Sequence, residues 1–70
     1  MTDKMAQKVA EKLKEVRLEK GMTQADIAEK AGLHPNSYAK IERGEATPSL
    51  ETLEKIAKAL SVRSSDLLPF

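Results

Sequence analysis

The stretch QADIAEKAGLHPNSYAKIER, Gln24 to Arg43, decides how this chain is read. Ile27, Ala28 and Ala31 share one face of a helix running from Gln24 to Ala31. Thr23 is its N-cap candidate, and Asp26, three residues on, offers a capping box. Gly32 closes this helix with a residue that tolerates positive φ, and Leu33 follows as the apolar plug of the turn. Pro35 suits the first position of a second helix, where its missing N–H would have no helical partner anyway. His34 then stands in the N-cap place, and the helix is expected to run to Arg43 and stop at Gly44.

Two short helices joined by a tight glycine turn form a helix-turn-helix unit. At about 100° per residue, Tyr38, Ile41 and Glu42 cluster on one side of the second helix. Asn36, Lys40 and Arg43 lie roughly opposite, with Ser37 on the flank. The first set belongs to a core. The second is amide, ammonium and guanidinium, which suit base edges and phosphates. An ordinary solvated face has the same makeup, but the helix-turn-helix spacing behind it favours nucleic acid. Lys40 is the first candidate for direct readout, toward guanine O6 and N7, and Asn36 suits adenine N6 and N7. Glu42 falls on the core side, and a buried carboxylate needs a partner. Arg17, on the edge of the preceding helix's apolar stripe, is the best candidate for an ion pair with it.

Working outward, Ala6, Val9, Leu13 and Val16 step by three and four within a helix expected over Asp3 to Lys20, ended by Gly21. Leu50, Leu53, Ile56, Ala57 and Leu60 make the stripe of a fourth helix, Leu50 to Leu60, capped by Ser49. A short fifth helix is expected over Ser64 to Leu68. No alternating β-branched run reads as a strand. Leu67, Leu68 and Phe70 make the C-terminal segment apolar, so it is expected to fold back on the core or meet a partner, most naturally a second copy of the chain.

The chain's 70 residues have room for one domain, expected to span 1–70. No cysteine and a single histidine exclude disulfides and thiolate or His-cluster metal sites. No nucleophile–base pair and no paired carboxylates set in a cleft are visible, so neither catalysis nor a cofactor is expected. No run of about 18 apolar residues suggests a membrane span, and no secretory segment is visible near Met1, which makes the cytosol the expected compartment. A net charge of +1 is too small for gripping nucleic acid by bulk charge. Recognition must come from where the charges sit.

The run GMTQADIAEKAG at Gly21 to Gly32, IERG at Ile41 to Gly44 and PSLETLEKIAKAL at Pro48 to Leu60 together resemble the Cro/C1-type (phage repressor, Xre-like) helix-turn-helix family. RLEKGMTQ at Arg17 to Gln24 is also similar to controller proteins of restriction-modification systems. The resemblance implies a compact all-α, five-helix, lambda-repressor-like domain. It also implies a transcriptional regulator that binds double-stranded operator DNA as a homodimer, with the second helix of the unit in the major groove. Carried over position by position, His34, Pro35, Asn36, Ser37 and Lys40 occupy base-facing places. Gln24 matches a phosphate-holding position, and Arg43 and the loop to Thr47 match a second one. The Arg17–Glu42 pair matches a buried pair of several members. By its apolar makeup, the C-terminal set Leu67, Leu68 and Phe70 is the expected dimer interface.

The sequence departs from this pattern at His34, where serine or threonine is the common cap, and at Pro35, which offers only apolar contact. Tyr38 stands where an aliphatic residue is usual, and Glu45 puts a carboxylate in the phosphate-facing loop. Two other functions suit the same fold: an antitoxin whose apolar C-terminus contacts a toxin, and a protein-interaction module that does not bind DNA.

Overall fold

The computed structural model describes residues 4–68, and every regular element among them is helical. Four α-helices run in the order α1 (Lys4–Glu19), α2 (Gln24–Ala31), α3 (Pro35–Glu42) and α4 (Leu50–Leu60), followed by a 3₁₀ turn at Ser64–Leu67. The expected fifth helix is thus a single 3₁₀ turn. Arg63 N–H donates to the Asp66 carboxylate at 3.0 Å, and Leu68 is already extended at φ −88, ψ 145. Leu68 precedes a proline in the sequence, and a residue in that place is pushed out of the α region, so the turn cannot lengthen into a helix.

Helix α1 buries Ala6, Val9, Ala10, Leu13 and Val16, one stripe at helical spacing. Gly21, at φ 68, turns the chain out of α1, and Met22 N–H bonds back to the Arg17 carbonyl at 3.1 Å. In α4 the buried residues are Leu53, Ile56, Ala57 and Leu60. Leu50 was expected in that stripe but is 67% exposed. It is the first residue of α4, and the buried stripe begins three residues on at Leu53.

Helix α2 packs against α3 and α4, α1 packs against α3, and the 3₁₀ turn rests on α4 and α1. Their apolar faces share one core, in which Leu13, Ile27, Tyr38, Ile56, Leu60 and Leu67 are the largest fully buried side chains. Each such aliphatic side chain contributes about 1.5–3 kcal/mol by leaving water. Leu67 was expected at a dimer interface, but its side chain fills the protomer's own core at 0% exposure and has no surface to offer a partner. Leu68 is half-buried against the same core. Phe70, the third expected interface residue, lies outside the described residues. Among the described residues no helix is long and apolar enough to cross a membrane.

Candidate nucleic-acid interface

Local chemistry sets each end of the α2–α3 unit. Asp26 N–H donates to Thr23 Oγ1 at 3.0 Å, and Thr23 N–H donates to the Asp26 carboxylate at 2.9 Å, closing the capping box in both directions. The backbone and hydroxyl of Thr23 hold the Asp26 carboxyl below its usual range. Gly32 leaves α2 in the left-handed region at φ 70, and Leu33 N–H returns to the Ala28 carbonyl at 2.8 Å. His34 then caps α3: its Nδ1 accepts from Asn36 N–H at 3.1 Å, with Pro35 in the first turn. That contact requires a neutral Nδ1, so the hydrogen of the uncharged ring sits on Nε2.

These ends fix which side of α3 is outward. Tyr38, Ile41 and Glu42 are buried, whereas His34, Pro35, Asn36, Ser37, Lys40 and Arg43 are exposed. The five residues expected to read bases therefore lie together on the open side of one helix. Beside them a shallow groove, lined by Ser37, Lys40 and Ile41 of α3, runs to Thr47 and Thr52. Thr47, expected at a phosphate, is exposed in the loop before α4.

Behind the open face lies a buried polar cluster. Arg17 Nε donates to both carboxylate oxygens of Glu42, at 3.2 and 2.9 Å, and Nη2 donates to Oε1 at 2.7 Å. Arg17 Nη1 reaches the Met22 carbonyl at 2.8 Å, so the guanidinium also secures the chain leaving α1. The Glu42 side chain is only 2% exposed. Burial, the largest single influence, would raise its carboxyl; the hydrogen bonds from Arg17 and its neighbours together with the Arg17 charge outweigh that and hold it below the usual range. Gln24 was expected at a phosphate, yet its Nε2 donates to Glu42 Oε1 at 3.2 Å. It thereby ties the first turn of α2 to the last turn of α3, and a side-chain amide has a second hydrogen to give. The Tyr38 hydroxyl is buried without a hydrogen-bond partner of ordinary geometry, and burial pushes its pKa up.

Arg43 does not stand alone on the surface. Its Nε donates to a carboxylate oxygen of Glu45. In the sequence Glu45 is a carboxylate in the phosphate-facing loop with no evident partner, because two residues separated by a single glycine can point anywhere until the turn is known. Among the described residues no group of histidine, cysteine, aspartate or glutamate side chains could hold a metal ion.

The helix-turn-helix family profile matches residues 13–67, which spans α2, α3 and α4 and most of the core. The chain belongs to this family, the Cro/C1-type helix-turn-helix transcription regulators. It is 39% identical over 71 aligned positions to control protein C.BamHI of Bacillus amyloliquefaciens, covering 100% of this chain and 88% of that one. It is 42% identical to the immunity repressor protein of Bacillus phage phi105, of which it spans 42% of the length and which covers 86% of this chain. Among solved structures, the restriction-modification controller protein C.AhdI from Aeromonas hydrophila superposes with a TM-score of 0.87 at 32% identity, over 90% of this chain and 96% of that one.

Proposed function

We propose that this regulator reads a palindromic DNA operator as a homodimer in the cytoplasm, with α3 in the major groove and α2 across the backbone. The observation that supports this best is the separation of faces on α3. Tyr38, Ile41 and Glu42 lock its inner side, and His34, Pro35, Asn36, Ser37 and Lys40 stand exposed on the other. Gln24, Arg43 and Thr47 flank that open face as the phosphate contacts, and the positive end of the α2 dipole adds to them. The likeness to C.BamHI along the whole chain and to C.AhdI over most of it supports a regulator that controls restriction-modification genes.

The partner copy would be met through Leu68, half-buried at the C-terminal end, together with Phe70 two residues on. An antitoxin or interaction-module role would use the same apolar end, and it loses Leu67, which is spent inside the core.

Selection of duplexes from a random library tests the proposal directly. The expected result is an inverted repeat with half-sites about 34–36 Å apart, bound by twice the mass of one chain. Enrichment of no duplex, or of a single half-site bound by a strict monomer, would overturn it. On the selected site, Lys40→Ala is expected to weaken binding by about 1–3 kcal/mol and to relax the preference at one base pair. An equal loss on every sequence would make Lys40 a phosphate contact instead.

A further inference from the structure

The loop after α3 holds a carboxylate among the cations of the open face. Gly44, at φ 78, bonds its N–H to the Ile41 carbonyl at 3.1 Å, and Glu45 N–H bonds to the Lys40 carbonyl at 2.9 Å. A side chain at Gly44 would come within 3.3 Å of Gln7 Cγ, so α1 backs this turn closely. The turn therefore anchors Glu45 one helical turn from Lys40 and beside Arg43. The two paired side chains, Arg43 and Glu45, are 55% and 54% exposed. Hydrogen bonding to Arg43, reinforced by the charges of Arg43 and Lys40, holds the Glu45 carboxyl below its usual range.

An exposed pair of this kind adds little to folding. Its consequence lies in what Arg43 can do next. A carboxylate and a phosphate make the same demand on a guanidinium: each offers a pair of anionic oxygens that accept charge-assisted hydrogen bonds from its planar fork. We infer that Glu45 acts as an internal phosphate mimic that occupies Arg43 in the free protein and must be displaced, or left facing phosphates, when DNA binds. The inference rests on the operator-binding reading of α3. On that reading Glu45 lowers affinity for every duplex by a similar factor, since it competes for a backbone contact and not for a base. It limits how firmly the protein holds DNA in general, in keeping with a net charge of only +1.

The test is a set of duplex titrations at several salt concentrations with the wild type, Glu45→Gln, Arg43→Gln and the double variant. The probes are the library-selected duplex and a random-sequence duplex. Glu45→Gln should bind both about three- to tenfold tighter at low salt, and its log–log salt slope should steepen by about one. In the Arg43→Gln background the same change should gain less than about twofold. Glu45→Ala, which also removes the carboxylate, should repeat the gain. If the wild type binds duplex and Glu45→Gln leaves affinity and slope unchanged, the inference is overturned and the operator reading stands. An equal gain with and without Arg43 would also overturn it, reducing Glu45 to a net-charge effect. Failure of the wild type on every duplex would overturn the operator reading and this inference with it.

Discussion

Arg17→Met is expected to lose about 3–5 kcal/mol of folding stability, read by urea denaturation at neutral pH. The guanidinium supplies three hydrogen bonds to a carboxylate that is 2% exposed, and its removal leaves that charge buried with only Gln24 as a hydrogen-bonded partner. A domain of this size has on the order of 4–10 kcal/mol in total, so the variant should sit near the edge of unfolding. Arg17→Met/Glu42→Leu removes both charges and should recover much of the loss, because the cost comes from the orphaned carboxylate. A single-variant loss under about 1 kcal/mol would show that the pair contributes no more than a surface ion pair.

The sign of the pH dependence separates these cases further. In the wild type the Glu42 carboxyl is held below its usual range, so the unfolded chain takes up its proton more readily than the folded one. That contribution is complete above about pH 5 and is lost as the pH falls through the folded-state value. Without Arg17, burial dominates and raises the carboxyl instead. Arg17→Met should therefore become more stable from pH 7 to pH 5, while the wild type stays level or weakens. Parallel trends in the two proteins would contradict the assignment.

Tyr38→Ala is expected to cost about 3–5 kcal/mol, the range for emptying a large aromatic site. Tyr38 is fully buried on the inner face of α3, so the cavity would open directly beneath the residues proposed to read bases. Tyr38→Phe keeps the ring and removes a buried hydroxyl that has no well-formed partner, and it should change stability by less than about 1 kcal/mol. The chain has one tyrosine and no tryptophan, so phenolate absorbance reports Tyr38 alone. Burial raises this phenol, which favours its protonated form in the folded state. Absorbance should show no phenolate at about pH 10, the usual midpoint, and stability should fall as the pH rises beyond it. Phenolate forming at that midpoint in the folded protein would mean that the ring is not sealed in the core.

Much of this architecture was legible because the signals are local. Thr23 with Asp26, Gly32, Pro35 and Ser49 each act on the backbone within a few residues, so the bounds of α2 and α4 could be read from them. The inward and outward faces of α3 followed from helical periodicity. Arg17 and Glu42, 25 residues apart, could be paired in the sequence only because a carboxylate on a core-facing position demands a cation. Less legible were the places where several elements compete for one side chain. Gln24 has the composition of a phosphate contact, but the Glu42 carboxylate brought beside it by the α2–α3 crossing takes its amide. Leu50 matches the α4 stripe in period, but as the first residue of that helix it is left exposed while Leu53, three residues on, enters the core.

Caps, glycine turns and a 3.6-residue period act over short distances, so the class of fold, the helix-turn-helix unit and the open face of α3 are legible in the linear chain. Which groups are already engaged follows from how the elements pack. Leu67 belongs to the protomer's own core and Arg43 is held by Glu45. The first depends on how the 3₁₀ turn lands on α1 and α4; the second, though only two residues apart, depends on the conformation of a glycine turn backed by α1. Period and charge foretell an inward face and a pair such as Arg17–Glu42, but which end residues join the core and which exposed charges meet depends on how the chain closes on itself.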